Sequence, residues 1–343
     1  MAVEETNRGG GIGGRKLKLA VRDDRHDDTA AALAVRLLAE RDHVFAVLSP
    51  LGTPKPDAAI KTAAGWGLPY LFPVIAGEGA DVPPAGLQFS LTPPPGMEVR
   101  EGLRRLLNAR ANAKVGLIVA DNEFGRAIQE GVEGELKRRG MALVASGKFE
   151  EGGKDLEEEL AGLKERGVDL LVVGAEGFGA IKILSAASSL RWKPAVLCSS
   201  ACYLPEFATL AGADAEGLYS VGQVPVPYPD DPKLGAWVKK YEETYSAAAT
   251  VHALAAYRAA HLFLVALSQT GPNPTPEAFA RVLETRGSWT DPMLGGLPAE
   301  FSRNDHLGSH TSLLTQIRRG RWAVVTDPAP PPAPQRPQRA QTK

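Results

Sequence analysis

Cysteine, charge imbalance and long apolar runs are all scarce in this sequence, and each shortage removes a class of function. Two cysteines, Cys198 and Cys202, are too few for a disulfide framework, and no histidine stands near them to complete a zinc site. Their spacing in "CSSACYLPEF" fits two semi-buried thiols beside a helix start, with a local disulfide as the alternative in an oxidising compartment. A net charge of -1, with both signs spread along the chain, gives no basic footprint for nucleic acid and no polybasic membrane anchor. No stretch approaches the roughly 18 uninterrupted apolar residues of a membrane span, and the N-terminus lacks the basic, apolar and small-residue order of a signal peptide. The nucleophile elbow G-x-S-x-G and the Walker A loop G-x-x-x-x-G-K-[ST] are also absent. No catalytic residue, metal or cofactor is therefore assigned.

What remains is a chain of 343 residues, 44% hydrophobic, long enough to bury two cores. Strand-like runs recur with helical patterns between them: "KLKLAV" at 17, "HVFAVL" at 43, "LPYLF" at 68, "KVGLIVA" at 114, "ALVAS" at 142, "VDLLVVG" at 168 and "AVLC" at 195. The intervening helices are amphipathic, with Val99, Leu103, Leu106 and Leu107 on one face and Phe124, Ile128, Val132 and Leu136 on another. This alternation predicts an α/β fold with parallel sheets. A gap of nearly two strand-helix units separates 68 from 114 and holds "DVPPAGLQFSLTPPPG", read as a Pro-rich connector between two sheets. Beyond 231 long helices are expected at about 231–246, 249–270 and 276–286, followed by the strand-like "GGLPAEFS", "SLLTQIRR" and "WAVVT". The segment from Pro328, "PAPPPAPQRPQRAQTK", is expected to be a disordered tail.

Two glycine-rich and acidic stretches at the front invite functional readings that their context denies. "GGGIGGRKLKLAVRDDRHDD" contains G-x-G-x-x-G at Gly9, Gly11 and Gly14. A dinucleotide site needs a strand before those glycines and a helix after them. Here the order is reversed, since "MAVEETNR" reads as helix and "KLKLAVRD" as strand, so the glycines form a connector. In "DDRHDD", Asp27 or Asp28 is read as the cap of the helix "TAAALAVRLLAE" rather than as a cation ligand. Neither His306 with His310 nor His252 with His261 has the context of a metal pair.

Polar or Gly-rich residues directly after the strands are more informative, because open α/β sheets place their ligands there. These are Ser49, Gly52 and Thr53 in "SPLGTP", Ala76 and Gly77 in "VIAGEG", Phe124 in "DNEFG", Glu176 and Phe178 in "GAEGFG", and Ser199, Ser200 and Tyr203 in "SSACY". Drawn from both expected sheets, they fit a ligand held in a cleft between domains.

The ordered set "HVFAVLSPLGTP", "DNEFGRAIQEGVEGELKRRG", "VDLLVVGAEGFGAIKILSAASSL", "AGADAEGLYSVGQVP" and "EFSRNDHLG", with the front stretch, resembles the type I periplasmic binding proteins. Within them it is most similar to the leucine- or branched-chain-amino-acid-binding group of ABC importers. The resemblance implies two doubly wound lobes with a ligand cleft between them, closing by a hinge. Lobe I would comprise 1–112 plus 246–308, and lobe II 113–245 plus 309–327. It implies capture of a small amino acid-like, carboxylate or amide ligand, delivery to a membrane permease, and a periplasmic location; a cytoplasmic one follows if Met1 is the true start. The ligand carboxylate would fall to Ser49, Gly52, Thr53, Ala76 and Gly77, while Phe124, Phe178 and Tyr203 would meet the side chain. Ser200 stands where the family's ammonium-binding acid is expected, and Glu176 is the candidate for the missing negative charge. A ligand-sensing regulator on the same fold, and an α/β enzyme, are the alternative readings. The resemblance also implies that the first sheet lacks its first strand, ahead of the short "MAVEETNR".

Overall fold

The computed structural model describes residues 1–51, 57–74, 86–150, 156–326 and 328. Its first elements are α1 (Ala2–Arg8), α2 (Asp28–Glu40), β1 (Val47–Leu48), α3 (Asp57–Gly65), β2 (Tyr70–Leu71) and β3 (Gln88–Phe89). The three short strands pair in parallel in the order β1-β2-β3. Ala31, Val35 and Ala39 of α2 and Ala59 and Ala63 of α3 cover Val47 and Tyr70 of this sheet. Asp27 caps α2 as expected, its side chain accepting the Ala30 N–H at 2.8 Å. The "GGGIGG" connector is a tight turn closed by an Ile12–Arg15 bridge, in which Gly11 has φ +79° and no room for a Cβ.

A second, larger sheet follows. Its elements are α4 (Pro95–Ala109), β4 (Val115–Ala120), α5 (Glu123–Arg138), β5 (Ala145–Phe149), α6 (Leu156–Glu165), β6 (Leu170–Gly174), α7 (Gly177–Ser189), β7 (Ala195–Cys198), α8 (Pro205–Ala211) and β8 (Tyr219–Gly222). The chain then runs through α9 (Gly235–Tyr245), α10 (Val251–Ser268), α11 (Pro276–Thr285) and the antiparallel pair β9 (Trp289–Asp291) and β10 (Gly295–Ala299). It returns with β11 (Leu313–Arg318) and β12 (Arg321–Val324), completing seven strands in the order β12-β11-β8-β7-β6-β4-β5. The central strands are buried on both faces, which is why they read as nearly continuous apolar runs. In β4, Val115, Leu117 and Val119 face the cluster under α4 and α5, while Ile118 faces the cluster under α6 and α7.

Helix α10 is long and apolar enough to cross a membrane by length and composition, and 56% of that stretch is buried inside the fold. Its buried residues include Leu254, Tyr257, Leu262 and Phe263, as expected of a core helix. Helix α4 packs against α5 and the strands β7 and β8. Trp237 of α9 packs edge-on to Tyr257 of α10, and Lys240 pairs with Glu5 of α1. These contacts put α4 with the large sheet and α9 with the first group of elements.

Three expectations need correction. "KLKLAV" forms no strand: Leu19 and Val21 are 65% and 79% exposed, and Leu17 exchanges two hydrogen bonds with the side-chain amide of Asn7 rather than with a strand. An alternating pattern becomes a strand only where an edge pairs with it, and among the described residues no strand pairs with this segment. The Pro-rich connector carries β3, whose Phe89 is fully buried, so the crossover starts only at Ser90. The large sheet is mixed, because β11 arrives late from the opposite direction and pairs antiparallel with β8. The tail beyond Pro328 lies outside the described residues.

Helices α4 and α5 touch backbone to backbone. A Cβ on Gly131 would lie 2.0 Å from the Gly96 carbonyl oxygen, and one on Gly96 would lie 2.2 Å from that of Ala127. Gly131→Ala is expected to destabilise the protein by about 2–3 kcal/mol, because neither partner is a side chain that can move aside. Urea denaturation checks this, and an unchanged midpoint would contradict it.

Candidate functional site

Four strands of the large sheet end in parallel at one edge, and each hands the chain to a polar loop. After β4, Asn122 caps α5 by accepting the Gly125 N–H at 2.9 Å. Gly125 is required there, since a Cβ would lie 1.9 Å from the Ala120 carbonyl oxygen. After β6, Glu176 stands exposed at the N-cap of α7. After β7 come Ser199 and Ser200, in a loop closed by the Cys198–Cys202 disulfide. The thiol reading is therefore corrected: the loop returns Cys202 under Cys198 within one short helical turn, which four-residue spacing alone does not reveal. After β8 comes Gln223, which is buried.

These loops adjoin. A Cβ on Gly177 would lie 3.9 Å from the Ala201 carbonyl oxygen, so the Glu176 loop borders the serine loop. Behind the serines lies a chain of buried polar bonds. Thr315 Oγ1 donates to the Ser220 carbonyl at 2.9 Å, and Ser220 Oγ donates to the Ser199 carbonyl at 2.8 Å. The Ser199 hydroxyl is buried without a hydrogen-bond partner.

Glu98 of α4 is the residue that sequence reasoning missed. Only 5% exposed, it accepts from Ser200 Oγ at 2.6 Å and from Gln223 Nε2 at 2.9 Å. The same Gln223 amide lies 3.3 Å from the Thr311 carbonyl, so Glu98 ties together α4, the serine loop, the end of β8 and the approach to β11. Burial pushes its carboxyl above the ordinary glutamate value, and the Ser200 and Gln223 bonds only partly counter that. The signal was available in "GMEVREGLRRLL", where Glu98 shares a helix face with Gly102 and Leu106, both buried.

The chain crosses between the sheets beside this network. Ser90 and Leu307 bridge in parallel, with Ser90 N–H donating to the His306 carbonyl at 2.9 Å and Gly308 N–H to the Ser90 carbonyl at 2.7 Å. Two crossing strands are thus tied to each other. His306 stacks on Phe89 at 3.9 Å and bonds to Gln88 and Glu284, while His310 bonds to Asp305.

The other expected site residues divide. Ser49 follows β1 in the left-handed region at φ +48°, its hydroxyl buried and unpartnered. Gly52, Thr53, Ala76 and Gly77 lie outside the described residues. Phe124 is buried among Val99, Ile128 and Val132. Tyr203 is buried edge-on against Trp322, with Gly222 beneath its ring, and is therefore a core residue in this arrangement. Phe178 is 71% exposed. A cavity of about 1300 Å³ lies within the first group of elements, lined by residues 16–22, Val35, Phe45, Val47, Phe263 and, of the expected site residues, Ser49.

The described residues thus form two α/β sheets joined by paired crossings, with polar loops at the strand ends. The profile of the family described as "Periplasmic binding protein" matches residues 1–321, and the chain belongs to that family. Among its relatives, a Leu/Ile/Val-binding protein homolog 8 of Brucella abortus (strain 2308) is 23% identical over 341 residues, covering 95% of this chain and 84% of that protein. A homolog 7 of Brucella melitensis biotype 1 is 26% identical over 286 residues, covering 78% and 71%. In fold the chain is similar to a branched-chain amino acid ABC transporter protein of Thermus thermophilus with bound valine, with TM-score 0.80, 21% identity, and coverage of 95% and 89%. It is also similar to an ABC transporter substrate-binding protein of Desulfitobacterium hafniense in complex with Leu, with TM-score 0.73, 22% identity, and coverage of 94% and 93%.

The raised Glu98 pKa sets the sign of a stability test. A carboxyl that protonates more readily when folded stabilises the fold fully below its unfolded pKa, and that contribution is lost as pH rises through the folded value. Glu98→Gln, which keeps the shape and removes the ionisation, is expected to match wild type in acid and to become the more stable protein as pH rises. Chemical denaturation across pH reads the difference, and a constant gap between the two proteins would contradict the assignment.

Proposed function

We propose that this chain is the solute-capturing component of an ABC-type importer, holding a small amino acid between two lobes and releasing it to a membrane permease. The observation that carries the reading is the edge of the large sheet, where Ser199, Ser200 and Glu176 sit in adjoining loops beside paired interlobe crossings. Ser49 supplies a buried, unpartnered hydroxyl at the matching edge of the first sheet, suited to a ligand carboxylate. Gly52, Thr53, Ala76 and Gly77 are assigned to the same carboxylate by position in the sequence. Lobe I then consists of the three-stranded sheet with α10 and α11, and lobe II of the seven-stranded sheet.

The relatives named for Leu, Ile and Val binding, and the neighbours solved with valine or leucine, support a branched-chain amino acid as the ligand class. Capture and hinge closure need no chemistry, and the family affiliation supports a periplasmic site of action. Phe178, exposed beside Glu176, is the aromatic candidate for the ligand side chain on lobe closure.

A ligand that binds only the folded protein stabilises it by RT ln(1 + [L]/Kd), about 2.7 kcal/mol at a hundredfold excess over Kd. L-leucine, L-isoleucine or L-valine is accordingly expected to raise the melting temperature by several degrees at millimolar concentration. Scanning all twenty amino acids by thermal shift makes the test, and no shift with any branched-chain amino acid would refute the ligand class.

A further inference from the structure

An amino acid ligand brings an ammonium group, and a buried ammonium needs a negative charge within reach. Glu176 is the obvious donor of that charge, but it is solvent-exposed at the N-cap of α7, where water screens it. Glu98 is the opposite case. It is buried at the carboxyl ends of β7 and β8, one hydrogen bond behind the half-buried Ser200. Its hydrogen-bond partners are uncharged: Ser200 from the serine loop and Gln223 from the end of β8, whose amide also reaches Thr311 and Ser312 at the approach to β11. Arg258 of α10, also buried, donates through one terminal nitrogen to the Leu297 carbonyl and leaves its Nε without a partner, and the Leu297 N–H bonds the Gln223 carbonyl. On α4 itself, Arg104 pairs with Glu101, and Arg105 donates to the Val325 and Thr326 carbonyls. Among the described residues no salt bridge reaches Glu98.

We propose that Glu98 is the counter-charge for the ligand ammonium, acting through Ser200, and that it gives up its proton when the cationic ligand binds. This rests on the amino-acid reading of the site. A carboxyl buried without a cation is held neutral, and a cation placed beside it restores the charged form. The step balances simply: the neutral carboxyl of Glu98 releases one proton to solvent, and the resulting carboxylate accepts the Ser200 hydroxyl proton in a charge-assisted bond. The Ser200 oxygen, its own proton turned inward, keeps its lone pairs for an ammonium N–H. Glu98 is thus a positioning and charge-supplying residue rather than a direct contact. It also reports binding to the crossings, because Gln223 holds it to the approach of β11.

The test is isothermal titration of the full chain with L-leucine, in buffers of different ionisation enthalpy, from about pH 5 to about pH 8. Wild type is expected to release up to one proton per L-leucine bound, with affinity rising as pH rises through the range where Glu98 ionises. Glu98→Gln is expected to abolish the release and weaken L-leucine at least about tenfold. The des-amino analogue 4-methylpentanoate should bind wild type and variant alike, within about twofold. Ser200→Ala, which leaves Glu98 intact, should also lose most of the proton release, so the idea stands testable even if Glu98→Gln folds poorly. Undiminished proton release and affinity in Glu98→Gln, or transfer of both losses to Glu176→Gln, would overturn the proposal while leaving the amino-acid reading in place. Failure of wild type to bind either L-leucine or L-valine would overturn both.

Discussion

Burial of both faces of the seven-stranded sheet is the constraint on which the rest of this structure depends. Leu117, Val172 and Leu197 fill one face beneath α4 and α5, while Ile118, Leu171 and Val173 fill the other beneath α6 and α7. With apolar layers on each side, polar side chains have room only at the strand ends, and the parallel strands β4, β6, β7 and β8 end together. The backbone contact of Gly96 with Gly131 then draws α4 tightly onto α5, and that approach fixes the first turn of α4 beside the serine loop. Glu98 is where it is because of that packing.

The electrostatics of the site follow from the same burial. A carboxyl enclosed by Ser200, Gln223 and a sheet edge feels a low local dielectric, so its preferred charge depends on what stands next to it. Glu176, at the N-cap of α7 after β6, is open to water. Two acids near one set of loops thus have different physical characters, and the difference comes from solvent access rather than from residue type. The paired crossing of Ser90 with Leu307 sets this network beside the route by which the chain passes between its two sheets.

The first sheet shows the reverse situation. Its strands are two residues long, and the alternating segment 16–22 lies beside an apolar cavity with Leu19 and Val21 turned to solvent. Asn7 satisfies the backbone of Leu17 through its side-chain amide, a local substitute for a ladder. Strand formation is a property of pairs, and a correct pattern without a neighbour remains an extended segment.

Helices α2, α5, α10 and α11 were legible in the sequence because apolar spacing and caps such as Asp27, Asn122, Thr250 and Thr275 are local signals. Strands β4, β6 and β7 were legible because sheets buried on both faces leave unbroken apolar runs, and the loops that follow them marked Ser200 and Glu176. Beyond reach were β3, the direction of β11, the choice between free thiols and a disulfide at Cys198 and Cys202, and the burial of Phe124 and Tyr203. All of these depend on partners far away in the chain or on the path of a loop. By itself, the sequence determined the α/β class, the family and the loops in which polar chemistry is concentrated. Only the tertiary structure decided that Glu98, on a helix more than a hundred residues before Ser200 and Gln223, stands against both of them. The reason is physical: periodicity tells which face of a helix is buried, but the charge a buried group carries is set by neighbours that only folding brings within hydrogen-bond distance.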